Sequence, residues 1–429
     1  MSRAFVSSWS SGGGVSGEVV VPGSKSHTIR ALAIAAAADG DSEIEAPLVS
    51  EDALSALGAA ESLGASAERG DGVWRISGVG GRFKPSVPVV DMGNSGTSLR
   101  LFVALASTVG EAVSFDGDAS LRTRPLGPLI SALERLGASF SSAGGKCPLT
   151  VRGPVVGGET SVDAVSSQFL SALLIALPLS EGDSLIHVER LNERPYVEMT
   201  LDWLRFSGAE VECSDDMSFF NVRGGFAYPA FSRRVPGDFS SAAFPLAMVS
   251  ILGGELFLGN LDFDDYQGDK AVFEYFERMG VCVERRSDGA FIRSGGRLRG
   301  GEFDLNATPD ALPIMAVAGA FADGETALVN CPQARIKETD RIALMAKELR
   351  AMGADVDELP DGMVVKGGGL RGAVVDSHGD HRIAMALTVG ALAADGDTTV
   401  IGSAAASVTY PRFYDDIQRL GADVRLVAD

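Results

Sequence analysis

The amino-acid sequence predicts an α/β protein of closed globes in which buried helices are wrapped by sheets. Three observations lead there: a phrase that recurs six times at near-constant spacing, a second phrase that recurs beside it, and helical stretches that are apolar nearly all round.

The first phrase is a Gly/Ser/Asp-rich turn, an apolar run of about a dozen residues, then glycine. Its closing glycines are Gly40, Gly110, Gly182, Gly254, Gly324 and Gly396, at successive spacings of 70, 72, 72, 70 and 72. Such regularity marks a structural unit. The second phrase is a helical stretch ending in glycine and followed by an alternating strand: SLGASAE, RLGASFS, FSGAEVE, RMGVCVE, AMGADVD and RLGADVR. Its glycines, Gly64, Gly137, Gly208, Gly280, Gly353 and Gly421, are expected as left-handed helix ends. The Val/Glu alternation after them has the period of a half-buried strand. Each repeat therefore reads strand, helix, strand, helix, strands. The first helix of each unit, clearest in Ala31 to Ala38, has no polar face and belongs in a core. A period of about 71 residues is longer than that of the usual helical solenoids, which favours closed globes. Function is then expected at the polar turns that precede the buried helices.

With 429 residues and 45% hydrophobic content, the chain has enough material for two or three domains. Its apolar stretches are far shorter than the roughly 18 to 20 residues of a spanning helix, and Met1 to Gly14 lacks an apolar signal core. No membrane association and a cytoplasmic location are expected. Cys147, Cys213, Cys282 and Cys331 form no C-x-x-C pair and read as reduced thiols. His378 and His381 lie three apart in a Gly/Asp-rich turn, a weak metal candidate that reads first as a structured loop. A net charge of −20 argues against non-specific nucleic-acid binding, so an anionic ligand needs a local basic cluster.

The six turns are PGSKSHTIR (Pro22 to Arg30), GNSGTSLR (Gly93 to Arg100), VSSQF (Val165 to Phe169), GDFSS (Gly237 to Ser240), ATPDAL (Ala307 to Leu312) and GDHR (Gly379 to Arg382). Gly and Ser at a helix N-terminus present N–H and hydroxyl donors at the positive end of the dipole, a setting that favours phosphate or carboxylate. Taken singly, each turn reads first as an ordinary N-cap; repetition at equivalent places turns the reading toward anion sites. Ser24 stands where a nucleotide P-loop needs Gly before its Lys, so a nucleoside triphosphate is not implied. Arg122-Thr123-Arg124-Pro125 and the run from Arg335 to Arg341 supply further charge. On a helix, Lys337 and Arg341 share a face and two cations could meet one anion, although on spacing alone a solvated face of alternating charges is the first reading.

Taken together, PGSKS, GNSGT, RPLG, SSQFLSALL, RPY, PDA, KETDR, DHR and YPRF follow one order from about Val19 to Gly421. In this the chain resembles the 5-enolpyruvylshikimate-3-phosphate synthase family. The resemblance implies two globes of three βαβαββ-type repeats each, an inside-out α/β barrel called the enolpyruvyl transferase fold, with the active site in the interdomain cleft. Residues 22–235 would form one globe, and residues 1–21 with 236–429 the other. It also implies transfer of the carboxyvinyl group of phosphoenolpyruvate to the 5-hydroxyl of shikimate 3-phosphate by a monomer that needs no metal or cofactor. Lys25, Ser26, Arg30, Ser166, Ser167, Gln168, Tyr196, Asp310, Gln333 and Lys337 match the shikimate 3-phosphate contacts. Lys25, Asn94, Gly96, Arg124, Gln168, Arg341 and Arg382 match the phosphoenolpyruvate contacts.

By the same resemblance Asp310 accepts the 5-hydroxyl proton, Lys337 shares that task, Glu338 delivers a proton to C3, and Lys25 assists. The arginines hold carboxylate and phosphate through paired donors. Cations divided between two globes would hold an empty cleft open, and the doubly anionic acceptor would close it. Three positions depart from the family pattern. Glu193 replaces a common Ser that reaches the phosphate, and is expected to point away or pair with Arg194; Gln333 replaces Asn; Val408 replaces a Lys some members use. Two alternatives stay open: the related transferase acting on UDP-N-acetylglucosamine, disfavoured because Asp118 to Arg124 contains no Cys, and a non-catalytic repeat scaffold.

Overall fold

The six helix-ending glycines Gly64, Gly137, Gly208, Gly280, Gly353 and Gly421 all stand at φ between +86° and +106° in the computed structural model, which describes residues 2–9 and 13–427. Each ends a helix and turns the chain into a strand, as the second phrase requires. Met1, Ser10, Ser11, Gly12, Ala428 and Asp429, which fall within the expected N-terminal segment and outer globe, lie outside the described residues.

The helices, in order, are α1 (Lys25–Ala37), α2 (Glu51–Ser62), α3 (Gly96–Ala106), α4 (Gly127–Arg135), α5 (Ser167–Ala176) and α6 (Arg194–Ser207), then α7 (Phe239–Leu252), α8 (Ala271–Arg278), α9 (Leu312–Ala320), α10 (Arg341–Ala351), α11 (His381–Ala393) and α12 (Phe413–Arg419). The odd-numbered helices are buried along almost their whole length; in α9 every residue is buried. A helix without a polar face gains about 1.5 to 3 kcal/mol for each large apolar side chain taken from water, and only a core offers that on all sides. The even-numbered helices bury one face.

Among the described residues, six four-stranded sheets repeat one order. In the second repeat, Val90–Asp91 runs parallel to Ala112–Asp116, which pairs antiparallel with Leu149–Arg152, itself antiparallel to Ser139–Ser142. Two leading strands are exchanged between repeats. Val15–Val20 precedes α1 in the chain but pairs in parallel with Gly254–Gly259, from Gly254 opposite Val15 to Gly259 opposite Val20. Conversely, Ser232–Arg234 precedes α7 but pairs with Asp41–Glu45. Arg3–Val6 inserts between Thr398–Ile401 and Val424–Val427, so the start of the chain completes its last sheet.

This exchange divides the chain into two compact units, Met1–Pro22 with Gly237–Asp429, and Gly23–Pro236. Each has its own hydrophobic core. Gly23, just past the first division, has no room for a side chain, because a Cβ there would lie 2.4 Å from the Ala46 carbonyl oxygen. No helix among the described residues is long and apolar enough to cross a membrane.

Candidate functional site

The turns before the buried helices do not all act as caps. Ser166, Asp238 and Asp380 accept backbone N–H bonds at the starts of α5, α7 and α11. Ser24, Ser95 and Thr308 make no such side-chain bond.

In the unit formed by residues 23–236, the N-terminal ends of α1, α3 and α5 come together. Arg30 of α1 donates through Nε to Thr200 Oγ1 (2.8 Å), through Nη1 to the Ser26 carbonyl (3.0 Å), and through Nη2 to Ser171 Oγ (3.3 Å) and the Tyr196 carbonyl (2.9 Å). Burial pulls its pKa down to about 10, with Tyr196 and Glu193 opposing, so the guanidinium stays charged at neutral pH. Arg30 thus ties α1 to α5 and α6. The half-buried Tyr196 packs against the core of this unit. Lys25, at the start of α1, lies 3.1 Å from Asp52 Oδ2 in the first turn of α2.

Beside this hub, Arg124 donates to Asn94 Oδ1, while Asn94 Nδ2 donates to Asp118 Oδ2 at 2.6 Å. Arg100 Nη1 donates to Gln168 Oε1 at 2.7 Å and so joins α3 to α5. Gly96 opens α3 between two guanidinium groups: a Cβ there would lie 2.7 Å from Arg100 Nη1 and 2.8 Å from Arg124 Nη1. The missing side chain leaves the space between the two guanidinium groups open.

Glu193 corrects an expectation. It neither points away nor pairs with Arg194. Its Oε2 accepts from Ser167 N (3.1 Å), Ser167 Oγ (2.8 Å) and Ser166 Oγ (3.5 Å), and its side chain is buried. Arg194 turns instead to Glu198 and the Asp215 carbonyl. The physical reason is local: α5 presents N–H and hydroxyl donors at its positive end, and the nearest carboxylate takes them.

In the other unit, the buried Arg341, Arg382 and Asp380 form one ionic cluster with the half-buried Asp310 and Glu338. Arg341 donates through Nη1 to Asp310 Oδ1 (2.7 Å), through Nη2 to Glu338 Oε2 (2.6 Å) and through Nε to Asp380 Oδ2 (2.8 Å). Burial alone would lower its pKa; Asp380, Glu338 and Asp310 together outweigh it and hold the guanidinium well above its ordinary value. Arg382 Nη2 reaches Asp310 Oδ2 at 3.4 Å, while its buried Nε and Nη1 have no hydrogen-bond partner among the described residues. Buried donors of this kind are costly unless a ligand takes them. Gln333 Nε2 donates to the Asn306 carbonyl at 2.9 Å, and its buried Oε1 also lacks a partner among the described residues.

Lys337 closes a reading that the spacing leaves open. Helix α10 begins only at Arg341, and Lys337 ends the 3-10 turn Pro332–Ile336, so the two do not share a helix face. Asp340 caps α10 by accepting from Ala343 N at 3.0 Å, which fixes the helix start after the KETD segment. His378 Nε2 lies 2.9 Å from Glu348 Oε1, and His381 opens α11. Cys147, Cys213, Cys282 and Cys331 are unbridged.

Comparison with known proteins then decides the family. Residues 10–417 match the family model described as EPSP synthase (3-phosphoshikimate 1-carboxyvinyltransferase). Among curated relatives, the chain is 48% identical over 414 residues to a 3-phosphoshikimate 1-carboxyvinyltransferase of Acetivibrio thermocellus, covering 95% of this chain and 97% of that one. The chain belongs to the EPSP synthase family. A relative of the same name from Methanothrix thermoacetophila is 45% identical over 417 residues, covering 96% and 97%. The solved EPSP synthase of Acinetobacter baumannii superimposes with a TM-score of 0.84 at 28% identity over the full length of both chains.

Within that family frame, four residues join the clusters that sequence reading did not assign. Arg100 contacts Gln168, Asp52 pairs with Lys25, Asp380 orders both Arg341 and the start of α11, and Glu193 occupies Ser167. Arg100 and Asp380 stand inside phrases already singled out, GNSGTSLR and GDHR, so their positions carried a signal. Asp52 is an ordinary first-turn acid until the fold brings Lys25 to it.

Proposed function

We infer that this chain catalyses the EPSP synthase reaction, moving the carboxyvinyl group of phosphoenolpyruvate onto the 5-hydroxyl of shikimate 3-phosphate. Family membership supplies the reaction, and the observation that carries it onto these residues is the junction of Arg341 and Arg382 on Asp310, with two Arg382 donors unmatched.

Two buried guanidiniums converging on one carboxylate make a seat for a carboxylate substrate. Arrival of the phosphoenolpyruvate carboxylate takes over donors that now hold Asp310, which frees Asp310 to accept the proton of the 5-hydroxyl. The hydroxyl oxygen then bonds to C2 while C3 takes a proton from Glu338 or Lys337, giving a tetrahedral ketal phosphate. Loss of a C3 proton and cleavage of the C2–phosphate oxygen bond release inorganic phosphate and leave the enol ether. Asn94, Gly96, Arg124 and Gln168 are assigned to the phosphoenolpyruvate side. Lys25 is assigned to both substrates, and Ser26, Arg30, Ser166, Ser167, Tyr196 and Gln333 to shikimate 3-phosphate. A cytoplasmic monomer working without metal or organic cofactor completes the proposal.

Phosphate release tests it. The expected result is release that requires phosphoenolpyruvate and shikimate 3-phosphate together and is unchanged by a chelator. Release with UDP-N-acetylglucosamine as the only competent acceptor overturns it, and no release with either acceptor returns the chain to a scaffold.

A further inference from the structure

Glu193 stands in the left-handed region, at φ 57° and ψ 41°, a conformation that costs a non-glycine residue and persists only where the surroundings hold it. Here the hold is visible. The residue precedes Arg194 and Pro195 at the start of α6, its side chain is buried, and its Oε2 accepts from Ser166 and Ser167 at the start of α5. Ser166 Oγ already caps α5 through Gln168 N at 3.5 Å, so the carboxylate takes the donors that remain. Ser166 and Ser167 are assigned to shikimate 3-phosphate in the proposed function, and hydroxyl and N–H donors at a helix N-terminus suit its phosphate.

We propose that Glu193 is a built-in occupant of the phosphate subsite, which any phosphate ligand must displace in order to bind. The inference rests on the function proposed above. Carboxylate and phosphate cannot both accept from the Ser167 hydroxyl and N–H, and two anions in one buried seat repel. Displacement therefore costs affinity for any phosphate. A ligand that also meets Tyr196 and Lys25 offsets that cost, whereas inorganic phosphate, which offers nothing else, does not. Glu193 thus keeps the free phosphate that the reaction releases out of the seat at concentrations where the complete acceptor still binds.

The test compares the full-length protein with Glu193→Gln, which keeps the shape and removes the charge, and Glu193→Ser, which withdraws the carboxylate and offers a hydroxyl. Calorimetric titration with inorganic phosphate and with shikimate 3-phosphate gives both affinities, thermal melting confirms folding, and steady-state kinetics separate the two KM values. Both ligands should bind the variants on the order of tenfold more tightly, phosphate gaining at least as much as the acceptor, with KM falling for shikimate 3-phosphate rather than phosphoenolpyruvate. Unchanged or weaker binding of both ligands by folded Glu193→Gln overturns the proposal and leaves Glu193 as a helix cap; that variant alone decides if Glu193→Ser fails to fold. Absence of wild-type turnover with shikimate 3-phosphate would defeat the proposed function instead, and the phosphate titration reads Glu193 in either case.

Discussion

Arg341 Nη1 donates to Asp310 Oδ1 at 2.7 Å, and the guanidinium that makes this bond is wholly shut off from solvent. A charge so buried survives because Asp380 and Glu338 hold its other nitrogens. Asp310, the more exposed partner, is the member of the pair placed to exchange its arginine for a proton. Asp310→Asn keeps the size and removes the base, and turnover is expected to fall by about 10²- to 10⁴-fold with shikimate 3-phosphate affinity largely kept. Turnover at the wild-type level in single-turnover assays would remove Asp310 from the chemistry.

Replacing Arg341 by Lys keeps one charge but gives up a planar fork that serves three carboxylates at once. Phosphoenolpyruvate binding should weaken by more than about tenfold, and shikimate 3-phosphate binding by less, in calorimetric titrations. Equal losses for the two ligands would contradict the assignment of Arg341 to phosphoenolpyruvate. Breaking a buried network costs roughly 3 to 5 kcal/mol, so a lower melting temperature accompanies the change.

A methyl group at position 96 meets Arg100 Nη1 and Arg124 Nη1 at 2.7 and 2.8 Å, distances at which something must move. Both neighbours are ends of flexible side chains, so Gly96→Ala should fold and should displace the guanidiniums rather than the backbone. The expected result is a KM for phosphoenolpyruvate raised about tenfold with KM for shikimate 3-phosphate altered by less than about threefold. A KM increase confined to shikimate 3-phosphate would place Gly96 in the wrong subsite.

The repeat unit was legible because it is written locally: an apolar helix, a glycine end and an alternating strand each lie within about a dozen residues. The exchange of Val15–Val20 and Ser232–Arg234 is not written locally, since pairing partners 239 and 189 residues apart leave no mark on local pattern. The site residues were named through family motifs, but the bonds among them escaped reading for the same reason. Asp310 meets Arg382 across 72 positions and Lys25 meets Asp52 across 27. The i, i+4 spacing of Lys337 and Arg341 leaves open whether they share a helix face, and Asp340 decides it by capping α10 and moving its start past the pair. Glu193 was misjudged because its neighbour Arg194 is the obvious partner in sequence, whereas the α5 donors are the nearer ones in space.

Outside these clusters, Glu348 carries a pH dependence. Burial would raise its carboxyl, but hydrogen bonds with His378, Lys347 and the Asp376 N–H together hold it below its ordinary value of 4.5. A depressed acid contributes stability that is present above about pH 4.5 and is lost as pH falls through the lowered folded value. Glu348→Gln should therefore narrow the difference in Tm between pH 7 and pH 3 relative to wild type. An unchanged difference would show that the His378 and Lys347 contacts add nothing to acid sensitivity.

The most direct measurement of the central claim is mass spectrometry of the acceptor after incubation with phosphoenolpyruvate, alongside phosphate counted in the same tube. The account predicts that shikimate 3-phosphate gains one carboxyvinyl group in place of a proton, with one phosphate released for each acceptor converted. Phosphate released from phosphoenolpyruvate while shikimate 3-phosphate stays unmodified would contradict it.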